Sequence, residues 1–253
     1  MAQLFKPKIN TMARASVLGL AMGPVVLLYA GSTITRSPAN TKVDVPLNQP
    51  VVFSHKHHAF ELGIDCRYCH TSVEKSKTSS VPATEVCMSC HSQIWTNSPL
   101  LQPVRDSYEK GLPIESVEGV GWNQVNKLPE FVYFDHSIHI ARGINCNHCH
   151  GPIQEMTLTW KGRPFSMAWC LECHREPEKY LYKDSEAKSP SEQVFGLYRK
   201  LQNKDPLTPH EEALAKGRDA QVKSPEEVQT GMDLVKAYNV KKKQLMDCST
   251  CHR

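Results

Sequence analysis

Phe53-Ser-His55-Lys-His-His58, followed after seven residues by Cys66-Arg-Tyr-Cys-His70 and after sixteen more by Cys87-Met-Ser-Cys-His91, decides the reading of this chain. The same order returns as Phe134-Asp-His136-Ser-Ile-His139, six residues, Cys146-Asn-His-Cys-His150, nineteen residues and Cys170-Leu-Glu-Cys-His174. Gly63-Ile64-Asp65 and Gly143-Ile144-Asn145 precede the first cysteine of each copy, so one module occurs twice. A fifth Cys-x-x-Cys-His, from Cys248 to His252, follows a long cysteine-free stretch.

All 10 cysteines therefore sit in Cys-x-x-Cys pairs with histidine directly behind, the attachment signature of c-type haem. Two thioethers three residues apart on one turn tie down the vinyl groups, and the next residue offers an imidazole to the iron. Cys66, Cys69, Cys87 and Cys90 also meet a zinc-ribbon spacing. With 12 histidines in 253 residues, however, histidine after all five pairs has a chance of roughly two in ten million, and five pairs do not divide among four-cysteine sites. The expectation is five covalently bound haem c groups. Their attachment residues are Cys66, Cys69, Cys87, Cys90, Cys146, Cys149, Cys170, Cys173, Cys248 and Cys251, and their proximal ligands His70, His91, His150, His174 and His252.

An electron-transfer haem wants a second strong axial ligand, because six-coordinate iron reorganises little and leaves no site for substrate. His55, His58, His136 and His139, spaced i,i+3 ahead of each module, are expected to be four such distal ligands, with His57 as a possible substitute for His58. His148, inside a motif, reads as solvated. For the fifth haem Met167 is favoured, with Met156, Met246 and His210 open; methionine ligation would raise that haem's potential. His210 otherwise reads as a surface residue at a helix start.

Lys6, Lys8 and Arg14 form a basic start, and Ala15 to Thr35 is uncharged and apolar-rich, ending at Arg36. At about 1.5 Å per residue it reaches roughly 31 Å, enough for a bilayer core. A cleaved signal peptide competes, with Ala30, Gly31 and Ser32 as its small-residue end. The expected layout is a cytoplasmic basic start (1–14), a retained transmembrane anchor (15–35), a linker (36–50), a four-haem domain of two repeated dihaem modules (51–182), and a helical C-terminal region ending in the fifth motif (183–253). The haem domain then lies on the periplasmic side of a bacterial cytoplasmic membrane, where covalent haem attachment occurs.

The fold class expected is mainly α and irregular, with a haem-built core behind one transmembrane helix. Ser189-Pro190-Ser191-Glu192, Thr208-Pro209-His210-Glu211 and Ser224-Pro225-Glu226-Glu227 each read as a capping box with proline in the first turn. Val194, Leu197, Tyr198 and Leu201 then give one apolar face. A net charge of +4 without a basic tract longer than Lys241 to Lys243 excludes a nucleic-acid role. About ten propionates would take the holoprotein to roughly −6 when reduced.

The segments FSHKHH, GIDCRYCHTSVEKS, EVCMSCHSQIW, LPEFVYFDHSIH, CHGPIQEM and SMAWCLECHREPE, between Val52 and Tyr182, together with the terminal CSTCHR, resemble the pentahaem cytochrome c subunit of alternative complex III. The resemblance implies an electron-carrier subunit without catalysis of its own. It would take electrons from an iron-sulfur, molybdopterin-oxidoreductase-like subunit and pass them to a monohaem cytochrome c or a terminal oxidase. Quinol would be oxidised at a polytopic membrane subunit, with lipid around the anchor. Asn126 departs from the pattern, which often has histidine before the LPxF segment. A stand-alone membrane-anchored quinol dehydrogenase cytochrome would place its first haem closer to the anchor than Cys66. A multihaem reductase would show an altered proximal residue, and all five motifs end in histidine.

Overall fold

The computed structural model describes residues 6–114, 121–181, 183, 187–218 and 224–252. Tyr182, at the expected end of the four-haem region, and Arg253 lie outside the described residues. Two compact units divide the chain, Met1–Val43 and Asp44–Arg253.

The first unit is carried by α1 (Pro7–Arg36), 30 residues or about 45 Å. Pro7 suits the first turn, where its missing N–H has no helical partner anyway. Pro24 sits inside the helix, where it removes one backbone bond without ending the run. Ser37 stops it: its amide and hydroxyl both donate to the Ile34 carbonyl, at 3.2 and 2.7 Å. Pro38 then opens the short α2 (Pro38–Thr41). The helix is long and apolar enough to cross a membrane, and its described side chains are almost all exposed.

Among the described residues, the second unit is built of short helices, with two isolated antiparallel bridges, Pro46 to Trp160 and Val132 to His252. Each Cys-x-x-Cys pair lies on a helical turn, which puts residues i and i+3 on one face. These turns are α3 (Cys66–Cys69), α4 (Thr84–His91), α7 (Cys146–His150), α8 (Met167–Arg175) and α13 (Cys248–Cys251), with α5 (Gln102–Lys110) and α6 (His136–Ile140) between them. Asp65, Asn145 and Ser166 cap α3, α7 and α8 by accepting from backbone amides. A π-helical turn, Lys56–Glu61, starts directly after His55 and carries His57 and His58.

Helix α9 (Pro190–Asn203) touches both copies of the repeat. Its Val194 and Phe195 cluster with Val73 of the first copy and Ile140 of the second, with Cys66 and Cys146 against them. Gly63 and Gly143 hold left-handed backbone, φ +75° and +78°, and a Cβ there would meet Gln202 and Gln193 of α9. Nine residues at about 100° each separate those glutamines by half a turn, so they leave α9 on opposite faces, one toward each copy. The expected apolar face is present, since Val194, Leu197 and Tyr198 are buried. Gln193, Phe195 and Gly196 are buried as well, because this helix is a wedge rather than a surface layer. The other buried apolar clusters are small. One joins Leu197 to Leu214 and Ala215 of α10 (Pro209–Ala215), and one joins Val51, Val104 and Ile114 beside Cys87, Met88 and Trp122.

Both expected capping boxes at Thr208 and Ser224 form, the latter starting α11 (Pro225–Ala237). At Ser189 only half does: the serine accepts from the Glu192 amide, but Glu192 reaches the Lys188 amide instead of the cap residue's own. A short turn ahead of α13, α12 (Lys242–Leu245), lies against α8.

Candidate haem sites

The two copies place their histidines alike. Phe53 stacks on His58 at 4.5 Å and meets His55 edge-on at 5.0 Å; Phe134 stacks on His139 at 4.6 Å and meets His136 edge-on at 4.8 Å. Nδ1 of His58 donates to the Ser54 carbonyl at 2.9 Å, and Nδ1 of His139 to the Asp135 carbonyl at 2.7 Å, each four residues back.

The first histidine of each pair is held by the opposite copy. His136 Nδ1 donates to the Lys77 carbonyl, behind the first motif, at 2.8 Å, and His55 Nδ1 lies 3.2 Å from Thr159 Oγ1, behind the third. The backbone repeats the exchange, with the Lys56 amide on the Met156 carbonyl and the Ser137 amide on that of Ser76.

The proximal candidates follow the same rule. Nδ1 of His70, His91, His174 and His252 donates to the carbonyls of Ser80, Ile94, Leu245 and Phe131, at 2.8, 3.2, 3.3 and 3.3 Å. His150 Nδ1 instead faces the Asn126 side-chain amide at 3.0 Å. An imidazole whose Nδ1–H is engaged presents the Nε2 lone pair, the form that binds a metal.

Ring spacings test whether an iron fits between partners. An ion held by a nitrogen of each ring at about 2.0 Å, with each nitrogen about 1.1 Å from its ring centre, would need ring centres about 6.2 Å apart. His58 and His91 are 6.2 Å apart, His136 and His150 6.2 Å, and His139 and His174 6.3 Å. His55 is half-buried, and its pKa falls to about 4 through desolvation first and then the nearness of His70, His150 and His58. Desolvation, with His136 and His70 nearby, takes His150 to about 4 as well. Both rings are thus neutral at neutral pH, as ligation requires. All ten cysteines are free thiols, available for thioethers. These residues fit haem.

Neighbouring thiols order the five motifs in space. Cys90 lies close enough to raise the pKa of the Cys69 thiol and Cys69 that of Cys87, Cys146 raises Cys66, Cys173 and Cys170 raise Cys149, and Cys251 raises Cys170. The attachment sites therefore run from Cys87–His91 through Cys66–His70, Cys146–His150 and Cys170–His174 to Cys248–His252. The first and third motifs are central because the copies interlock there.

Several individual residues depart from the sequence reading. His148 is 7% exposed rather than solvated, because α7 turns it inward against Tyr180 and His210, and burial lowers its pKa to about 3. His210 is half-buried, with its ring 6.3 Å from that of His148, rather than a plain surface residue. His57 pairs with Glu61 at 3.1 Å and stacks on Trp95, so His58 is the ring brought to His91. Met156 is fully buried beside Gly151, a core position. Met246 is exposed, two residues before Cys248. Met167 is 62% exposed, one turn before Cys170. Trp122 packs near Cys87, whereas Trp95 is exposed. Sequence reasoning did not single out Thr159, Lys77 or the wedge role of α9, since nothing local marks a residue whose partner lies in the other copy.

Residues 31–99, which contain the first copy, match the class III cytochrome C family, and residues 132–194, which contain the second, match cytochrome c7 and related cytochrome c. The menaquinone reductase, multiheme cytochrome c subunit, of Nitratidesulfovibrio vulgaris Hildenborough is 32% identical over 102 residues, 40% of this chain and 45% of the relative. The chain thus spans less than half the length of that relative. Both copies of the module are thus similar to multihaem c-type cytochromes, and the chain is related to this subunit over that part of its length.

Proposed function

We propose that this chain is the pentahaem electron-relay subunit of a membrane quinol-oxidising complex of the alternative complex III type. It would be held at the periplasmic face by α1 as a retained anchor. The observation that carries the reading is the set of histidine pairs at iron-spanning distance with Nδ1 engaged, because closed coordination suits electron transfer and excludes a substrate. Haem, when bound, supplies a one-electron iron couple at each site. His55, His58, His136 and His139 face His70, His91, His150 and His174 respectively, and Met167 serves His252. Met167 is supported by its place one turn before Cys170, the neighbour of Cys251. The line of motifs has two ends, Cys87–His91 and Cys248–His252. An iron-sulfur subunit at one end and a monohaem cytochrome or terminal oxidase at the other would use both, while quinol chemistry stays with a polytopic partner. A single helix offers one wall, and small-molecule sites need several.

Similarity to a menaquinone reductase subunit favours a second reading, in which electrons run toward the quinone pool. Purification from native membranes tests both. The first reading expects five haems by intact mass, copurifying iron-sulfur and polytopic subunits, and haem reduction by menaquinol. Haem reduction by a soluble cytochrome donor with net quinone reduction establishes the second. Rapid quinol oxidation by the isolated chain refutes the relay itself.

A further inference from the structure

Of the nine histidines assigned to iron above, seven anchor Nδ1 on a main-chain carbonyl, and two anchor it on a side chain: His150 on Asn126 and His55 on Thr159. Both exceptions belong to the two central sites, where the copies interlock. We propose that Asn126 and Thr159 are positioning residues that set the reduction potentials of the two central haems, each by accepting a hydrogen bond from a ligand histidine. The inference rests on the proposed assignment of His150 and His55 as iron ligands.

The chemistry of Asn126 fixes its own orientation. As placed, its Nδ2 faces His150 Nδ1, and its Oδ1 is buried without a hydrogen-bond partner. An Nδ2 donor would require a bare Nδ1 and hence a proton on Nε2, the atom the iron needs. Amide oxygen and nitrogen are interchangeable in shape, so ligation by His150 demands the turned amide, with Oδ1 accepting from Nδ1–H. The histidine's tautomer thus decides the asparagine's orientation. Thr159 needs no such change: its hydroxyl accepts from His55 Nδ1–H and keeps its own proton for another acceptor. An acceptor on Nδ1–H makes imidazole a stronger donor to iron and favours the oxidised state; a stronger acceptor lowers the potential and a missing one raises it.

Asn126→Leu, Asn126→Asp and Thr159→Val in the membrane-extracted holoprotein separate tuning from packing. Spectroelectrochemical titration should show one of five potentials raised in Asn126→Leu and the same one lowered in Asn126→Asp, each by about tenfold in the reduction equilibrium, or about 59 mV for one electron. Thr159→Val should raise a different one. Low-temperature magnetic resonance should show five low-spin haems throughout, with altered g values for the affected haem only. Five unchanged potentials with five low-spin haems overturn the tuning role and leave the ligand assignment intact. Shifts of one sign in both Asn126 variants also overturn it. Fewer than five low-spin haems in the wild-type protein remove the premise and overturn both.

Discussion

Asn145 and Asp65 hold the same place in the two copies, yet replacing each by alanine should have unequal cost. Asn145 is 1% exposed. Its Oδ1 accepts from the Asn147 amide at 2.9 Å and from the Tyr198 hydroxyl at 3.2 Å, and its Nδ2 donates to the Val194 carbonyl of α9 at 2.7 Å. Loss of the cap costs about 1 kcal/mol, and loss of the buried tie to α9 about another 1. Tyr198 keeps a partner in Asn147 at 3.0 Å, so no orphaned hydroxyl adds to the sum. A small cavity brings Asn145→Ala to about 2–3 kcal/mol. Asp65 caps the Arg67 amide at 2.8 Å, but its side chain is 41% exposed and its other partner is the Arg67 guanidinium. Asp65→Ala should therefore cost about 1 kcal/mol, with the half-exposed ion pair adding a few tenths. Guanidinium unfolding of the holoprotein, followed by haem absorbance and far-ultraviolet dichroism, measures both. Equal midpoint shifts, or a larger one for Asp65→Ala, would refute the claim that the buried Asn145 bond to Val194 adds to its cap.

Replacing His55, His58, His136 or His139 by alanine should turn one haem high-spin in each case, whereas His57→Ala and His148→Ala should leave the magnetic resonance spectrum unchanged; a low-spin spectrum in any of the first four removes that residue. Gly63→Ala and Gly143→Ala force alanine into left-handed backbone against a glutamine and should each cost about 1–2 kcal/mol, read as a fall in melting temperature; a neutral outcome shows that α9 gives way. The Arg67 hydrogen bond holds the Asp65 carboxyl below its ordinary value, so its contribution is complete above about pH 3.9 and is lost as pH falls through the lower folded value. Asp65→Asn should therefore flatten that part of the stability profile, and an unchanged acid limb refutes it.

Much of the second unit was legible because its signals are local. Cys-x-x-Cys needs one helical turn, and the structure provides it five times. The boxes at Thr208 and Ser224 close within four residues. The box at Ser189 half-failed because the Lys188 amide was an equally near donor for Glu192, a competition that spacing cannot rank. His148 misled for a similar reason: its position within a motif says which turn it occupies, and only the packing of α10 beside α7 says which way it faces.

The sequence by itself determined the number of attachment motifs, the doubling of the module and the histidines offered ahead of each, since these depend on covalent spacing along a few residues. Tertiary structure alone decided that His55 and His136 are held by the opposite copy, that α9 stands between the copies, and that the motifs line up with the first and third at the centre. Those facts depend on contacts between segments up to 143 residues apart. Loop-closure entropy changes little with separation at that length, so chain distance carried almost no information about which partner would be met.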